Sequence, residues 1–274
     1  MKLYRSLLAV GMFLAVSNFA TAAGAWLSSD LVTAEDCTNV GYSDVVEFID
    51  TYYLPALGYL PAADDIEQQF FEAYAISSAV TLRSQLCLAE SLELKELTDA
   101  LKKEQALIKS GTSFGNNELL KQRELTNSAD AQIRAATEEI GELSPEQKKT
   151  FTVGVATYLA GAYATSEMVK VVDDVAKKAA EDAKNSGDNL KDAAKDPRKA
   201  IGGLFKKKDK DKSSSGIKNP LKVVTFFTEL LPGVKDQVVR LFETGTYLTK
   251  FSADKGIELP ADATDKLNGV LDWE

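Results

Sequence analysis

The stretch Gly111-Thr112-Ser113-Phe114-Gly115 spells G-x-S-x-G, the sharp turn on which many hydrolases carry a nucleophilic serine. That chemistry needs a strand before the turn and a histidine to take the serine's proton. Here the preceding residues read as helix, and the 274-residue chain contains no histidine. Histidine-assisted Ser and Cys nucleophiles, histidine metal sites and histidine proton relays are all excluded with it. The five residues are read as the turn of a helical hairpin.

Ser-Lys catalysis needs no histidine, and S-x-x-K occurs at Ser215–Lys218 and Ser252–Lys255. The base in such a pair must be a lysine desolvated enough to lose its proton. The first pair lies in a polar stretch that supplies no such surroundings, and matches are expected by chance in a chain rich in Ser and Lys. Carboxylates recur in adjacent pairs, Asp64/Asp65, Glu138/Glu139 and Asp173/Asp174. Carboxylate catalysis needs two groups at a set separation across a cleft, whereas neighbours on a helix diverge into solvent. Asp209-Lys210-Asp211 lacks the further acids and the glutamate of a calcium loop. No catalytic residue, metal ligand or cofactor is assigned.

Two features remain that can make bonds or contacts. Cys37 and Cys87 are the only cysteines, and an even pair in an exported chain reads as one disulfide. Between Arg198 and Lys212 stand seven basic residues, Arg198, Lys199, Lys206, Lys207, Lys208, Lys210 and Lys212, against Asp209 and Asp211, with Leu204-Phe205 just before the lysines. Phe205, Lys206, Lys207, Lys208, Lys210 and Lys212 are the candidate contacts with an anionic membrane surface, each cation there being worth about 1 kcal/mol. The plainer reading is a solvated linker kept extended by its charge.

Export is expected from residues 1–25. Lys2 and Arg5 form a basic start, Leu7 to Phe19 a short apolar stretch, and Ala20-Thr21-Ala22 and Ala23-Gly24-Ala25 offer two cleavage sites with small side chains. The apolar run is shorter than the roughly 20 residues that span a bilayer and includes Ser17 and Asn18. No acid precedes Asp30, so removing Lys2 and Arg5 takes the net charge from −9 to −11. Such a chain is a poor nucleic-acid binder, because that affinity comes from cations neutralising phosphates. The expected location is the periplasm or the medium.

The elements that must position these residues are helical, since sustained alternation of period two is absent. A short helix is expected from about Ser43 to Leu60, broken up by Pro55 and Pro61. A long one from about Ala63 to Lys109 carries Ile66, Ala73, Val80, Cys87, Leu94, Leu101 and Ile108 at intervals of seven, with Ser77, Ser78 or Ser91 as places to bend. The next, from about Glu118 to Gly141, presents Leu119, Ala129, Ile133, Ala136 and Ile140, with Gln122 and Thr126 completing the steps. Ser144-Pro145-Glu146-Gln147 is a capping box with proline at the first helical position. It opens a seam through Phe151, Val155, Tyr158, Ala162, Thr165, Val169, Val172, Ala176, Ala179 and Ala183. Residues 185–219 read as a flexible basic linker. Asn219-Pro220 starts a helix through Phe227, Val234 and Leu241, kinked or split at Pro232-Gly233, and a last short helix covers Ala261 to Trp273.

The reading is therefore all-α. An elongated antiparallel bundle of coiled-coil-like helices over residues 26–184 is followed by the 185–219 linker and a C-terminal helical region, 220–274. The function expected is a non-catalytic binding or scaffold protein of the bacterial cell envelope, with an envelope protein as partner. A carrier of lipid or another apolar ligand, or a peripheral membrane-active protein, is the alternative. Its pocket would draw on Tyr52-Tyr53, Phe70-Phe71, Tyr74 and Phe226-Phe227.

Overall fold

The computed structural model describes residues 37, 41–60, 65–109, 115–185, 217 and 219–270. The export segment, the basic cluster with Phe205, Lys206, Lys207, Lys208, Lys210 and Lys212, Gly111 to Phe114, and the first S-x-x-K pair from Ser215 to Lys218 lie outside them. Among the described residues every regular element is helical: α1 (Tyr42–Phe48), a π-helical stretch (Ile49–Tyr53), α2 (Leu54–Leu57), α3 (Ile66–Ser91), α4 (Lys95–Lys109), α5 (Asn116–Glu139), α6 (Pro145–Asn185), α7 (Pro220–Asp254) and α8 (Ala261–Asn268).

Helix α3 is the centre. From Ala73 to Ala89 every residue is buried, including Ser77, Thr81 and Ser84. These hydroxyls return their hydrogen bonds to the helix itself: Ser77 Oγ to Tyr74 O (3.1 Å), Thr81 Oγ1 to Ser77 O (3.2 Å), Ser84 Oγ to Thr81 O (2.6 Å). Back-bonding of this kind lets a polar helix be enclosed on all sides.

Helix α6 packs along α3 more extensively than any other element. Two glycines set how closely. A Cβ on Gly161 would lie 2.8 Å from Thr81 Oγ1 and 3.2 Å from its backbone N, and one on Gly154 would lie 2.8 Å from Leu88 Cγ. The seam read from α6 is buried as expected, apart from half-buried Ala176. Its capping box is formed, with Gln147 N donating to Ser144 Oγ (3.2 Å) and Ser144 N to Gln147 Oε1 (2.9 Å). Helices α7 and α8 also pack against α6, so the C-terminal region lies against the main bundle.

Four local expectations are corrected. The helix expected across Ala63–Lys109 is two helices, because α3 ends in a 6→1 cap. Leu94 N bonds Ala89 O (2.9 Å) and Glu93 N bonds Glu90 O (3.2 Å) around Glu93 at φ 58°. This left-handed position is normally glycine's. Pro232 does not split its helix, which continues to Asp254. Pro232 and Thr228 are both exposed, so the carbonyl that loses its i+4 donor faces water. Pro55 does not break the first segment either. The chain widens to a π turn immediately before it, with Leu54 N bonding Ile49 O, which makes room for the proline ring. The last helix stops at Asn268.

Cys37 and Cys87 are disulfide-bonded, with Cα atoms 5.5 Å apart across a sequence separation of 50, and both are buried. The bridge staples the start of the described chain to the central helix. Closing such a loop stabilises by about 4 kcal/mol on the chain-entropy account. A C37S/C87A variant is therefore expected to melt on the order of 10 °C lower by calorimetry. Glu93→Gly removes the left-handed strain and is expected to gain about 0.5–1 kcal/mol in urea denaturation.

Candidate functional site

Between its two glycine contacts α6 carries Tyr158, and between Thr81 and Leu88 α3 carries Gln85. Both point at Asp130 of α5. Tyr158 Oη donates to Asp130 Oδ2 at 2.7 Å. Gln85 Nε2 donates to Asp130 Oδ1 at 2.7 Å and to Thr126 O at 3.0 Å. Helix α7 closes the junction. Arg134 Nη2 donates to Thr244 Oγ1 at 3.2 Å, the Arg134 guanidinium lies 5.0 Å from the centre of the Tyr247 ring, and Tyr247 Oη pairs with Thr137 Oγ1 at 2.7 Å. Four helices thus meet on one buried carboxyl group.

Burial is the largest influence on Asp130 and pushes its pKa up to about 6 from 3.8. Hydrogen bonds from Tyr158, Gln85 and Thr244, and the charge of Arg134, pull it back down without cancelling the rise. The Tyr158 phenol is raised well above its ordinary value, first by burial, then by the charge and hydrogen bond of Asp130. Desolvation disfavours the charged form of both groups. Tyr158 is wholly enclosed and Asp130 only 6% exposed.

Beside the junction is a polar pit of about 10 Å³, lined by Tyr74, Ser78, Thr81, Thr126, Thr165, Gln237 and Leu241. It has room for about one water. Gln237 Oε1 is buried there without a partner among the described residues.

Other candidates from the sequence have structural roles. Ser252 Oγ bonds back to Leu248 O (2.8 Å), and Lys255 Nζ clamps Ile140 O (3.2 Å) and Gly141 O (2.7 Å) at the end of α5. Asp65 caps α3 by accepting from Gln68 N (3.1 Å). Glu138 and Glu139 are exposed. Asp173 bridges Lys177 and Lys235, and these hydrogen bonds hold its pKa down. No group of three potential metal ligands occurs among the described residues. Phe70, Phe71, Phe226 and Phe227 stack edge-on at 5.0–5.8 Å, and Tyr53 Oη bonds Ala73 O (3.1 Å).

Asp130 carries no motif. The signal that points to it is the polar filling of the α5 seam, Gln122 and Thr126, continued by Asp130 one turn later and Arg134 a turn beyond. Comparison with protein-family models, curated proteins and solved structures found no match.

Because the folded protein binds the Asp130 proton more tightly than an exposed carboxyl does, the stability this contributes is fully present below about pH 4. It is lost as pH rises through about 6. The total is on the order of 3 kcal/mol. In urea denaturation across this window, wild type is expected to lose about that much relative to D130N, which cannot titrate.

Proposed function

We propose that the chain is an exported, non-catalytic helical binding or scaffold protein of the cell envelope, acting through protein–protein contacts. Its form in this reading is an elongated antiparallel bundle released after cleavage of residues 1–25. Helix α6, with 41 residues, extends about 60 Å at the usual rise, and its paired contacts Gly161–Thr81 and Gly154–Leu88 support the antiparallel pairing with α3. The disulfide suits an oxidising compartment. No helix among the described residues is long and apolar enough to cross a membrane.

The observation that carries the reading is an open groove of about 570 Å³ between α1 and the start of α8, lined by Tyr42, Ser43, Val46, Glu47, Pro260 and Asp262. Its floor is apolar, formed by Tyr42, Val46 and Pro260. Its rim is acidic, and burial first, then the Asp262 carboxylate and the charges of Asp50 and Asp265, raise the pKa of the Tyr42 phenol. Asp50 is paired with Lys266 at 2.9 Å, while Glu47 and Asp262 are exposed. An apolar floor with a carboxylate rim fits an apolar-anchored cationic segment of an envelope protein, because complementary charge steers and orients such a partner. The aromatic pairs that an apolar-ligand carrier would turn toward its cargo pack against one another instead, which favours the protein-binding reading.

A photo-crosslinking residue at exposed Ser43, in the full-length protein expressed in its native envelope, is expected to capture one envelope protein. The adduct should fall at least about ten-fold in E47K/D262K, the loss of roughly 1.4 kcal/mol that two rim charges supply, and persist in E138K. An adduct indifferent to E47K/D262K, or none at all, contradicts the reading.

A further inference from the structure

Helix α5 is joined to the rest of the bundle differently from its neighbours. Its backbone runs beside α3 and touches α7, while it reaches α6 through the Asp130–Tyr158 hydrogen bond. Four of its seven buried side chains, Gln122, Thr126, Asp130 and Thr137, are polar. Both amide atoms of Gln122 lack a partner among the described residues. A face of this composition gains little from burial compared with the seam of α6, and unpaired polar atoms cost free energy when enclosed. What holds α5 is a set of directed bonds: Asp130 to α3 and α6, Arg134 and Thr137 to α7, and Lys255 on its last carbonyls. Beyond Ile140 the chain passes through Gly141, around which there is open space.

We propose that α5 is a detachable latch, seated against α3, α6 and α7 when Asp130 carries a proton and loosened when Asp130 ionises. The groups that face Asp130 are Gln85 from α3, Tyr158 from α6, Thr244 from α7 and Arg134 of α5 itself. Arg134 is the one cation among them. It is already engaged by Thr244 and the Tyr247 ring, so it leaves an ionised Asp130 incompletely compensated inside the bundle. Detachment lets the carboxylate regain water, and the open state therefore binds the proton more weakly. Raising the pH draws the equilibrium toward it. Such a helix belongs to the low-stability end of a structure, opening without global unfolding. The exposed trench then presents Gln85, Tyr158 and Thr244, a hydrogen-bonding surface that the closed bundle hides.

Hydrogen exchange of the full chain tests this, read by mass spectrometry at about pH 5 and about pH 7.5 and corrected for intrinsic rates. Peptides of 116–139 are expected to be less protected than those of 151–172 at both values. Their opening constant should rise about ten-fold at the higher pH, and D130N should abolish that rise. Equal protection of α5 and α6 at both values means the helix leaves only when the whole bundle unfolds, which overturns the proposal, as does a ten-fold rise that survives in D130N. Should D130N fail to fold, Y158F removes a donor to the ionised carboxyl and is expected to steepen the pH response of α5. An unchanged response there counts against the latch.

Discussion

The close approach of α3 and α6 is the constraint on which the rest depends. Gly161 lies against Thr81 and Gly154 against Leu88 with no space for a Cβ, so the two backbones are fixed in register along both helices. Between those contacts stand Gln85 and Tyr158, and the register aims both at one point. Asp130 occupies that point. A shift of one turn along either helix would separate its two donors and leave a buried carboxylate with Arg134 as its compensation, at a cost of several kcal/mol. The tight apolar pairing thus makes the polar junction tolerable, and the junction in turn specifies how α5 and α7 dock.

This division also explains which parts of the fold were readable from residue order. Where the structure obeys a local rule, the rule predicts it. Ser144, Pro145 and Gln147 open α6 because side-chain and backbone donors satisfy each other within one turn. The seam positions of α6 are buried because period and composition agree. The break after Ser91, one of three serines at which a bend was expected, could not be singled out because a glutamate, not a glycine, takes the left-handed position. Its cap is stabilised by bonds back to Ala89 and Glu90 and by the contact of Gln147 with Glu93 (3.2 Å). Pro232 misled in the opposite direction: a proline costs a helix little where the freed carbonyl meets solvent.

The candidate site was legible only in outline. Gln122 and Thr126 interrupt an otherwise apolar seam, and that interruption is the trace of the junction. Asp130 itself looks like a surface acid, one among 41 acidic residues, because its burial depends on Tyr158, Gln85 and Thr244, residues distant in sequence. The cysteine pair was readable because a chain with only two thiols offers each a single intramolecular partner. Burial raises the proton affinity of the Asp130 carboxyl above that of an exposed aspartate.

Carbon-13 NMR of the Asp130 side-chain carboxyl, assigned by comparison with D130N and followed from acid to neutral pH, tests the account most directly. A junction buried among four helices predicts a titration midpoint near pH 6, in line with the value of about 6 that burial imposes. A midpoint at or below about 4, the value of a solvated aspartate, would mean that water reaches the carboxyl and that the junction does not exist as described.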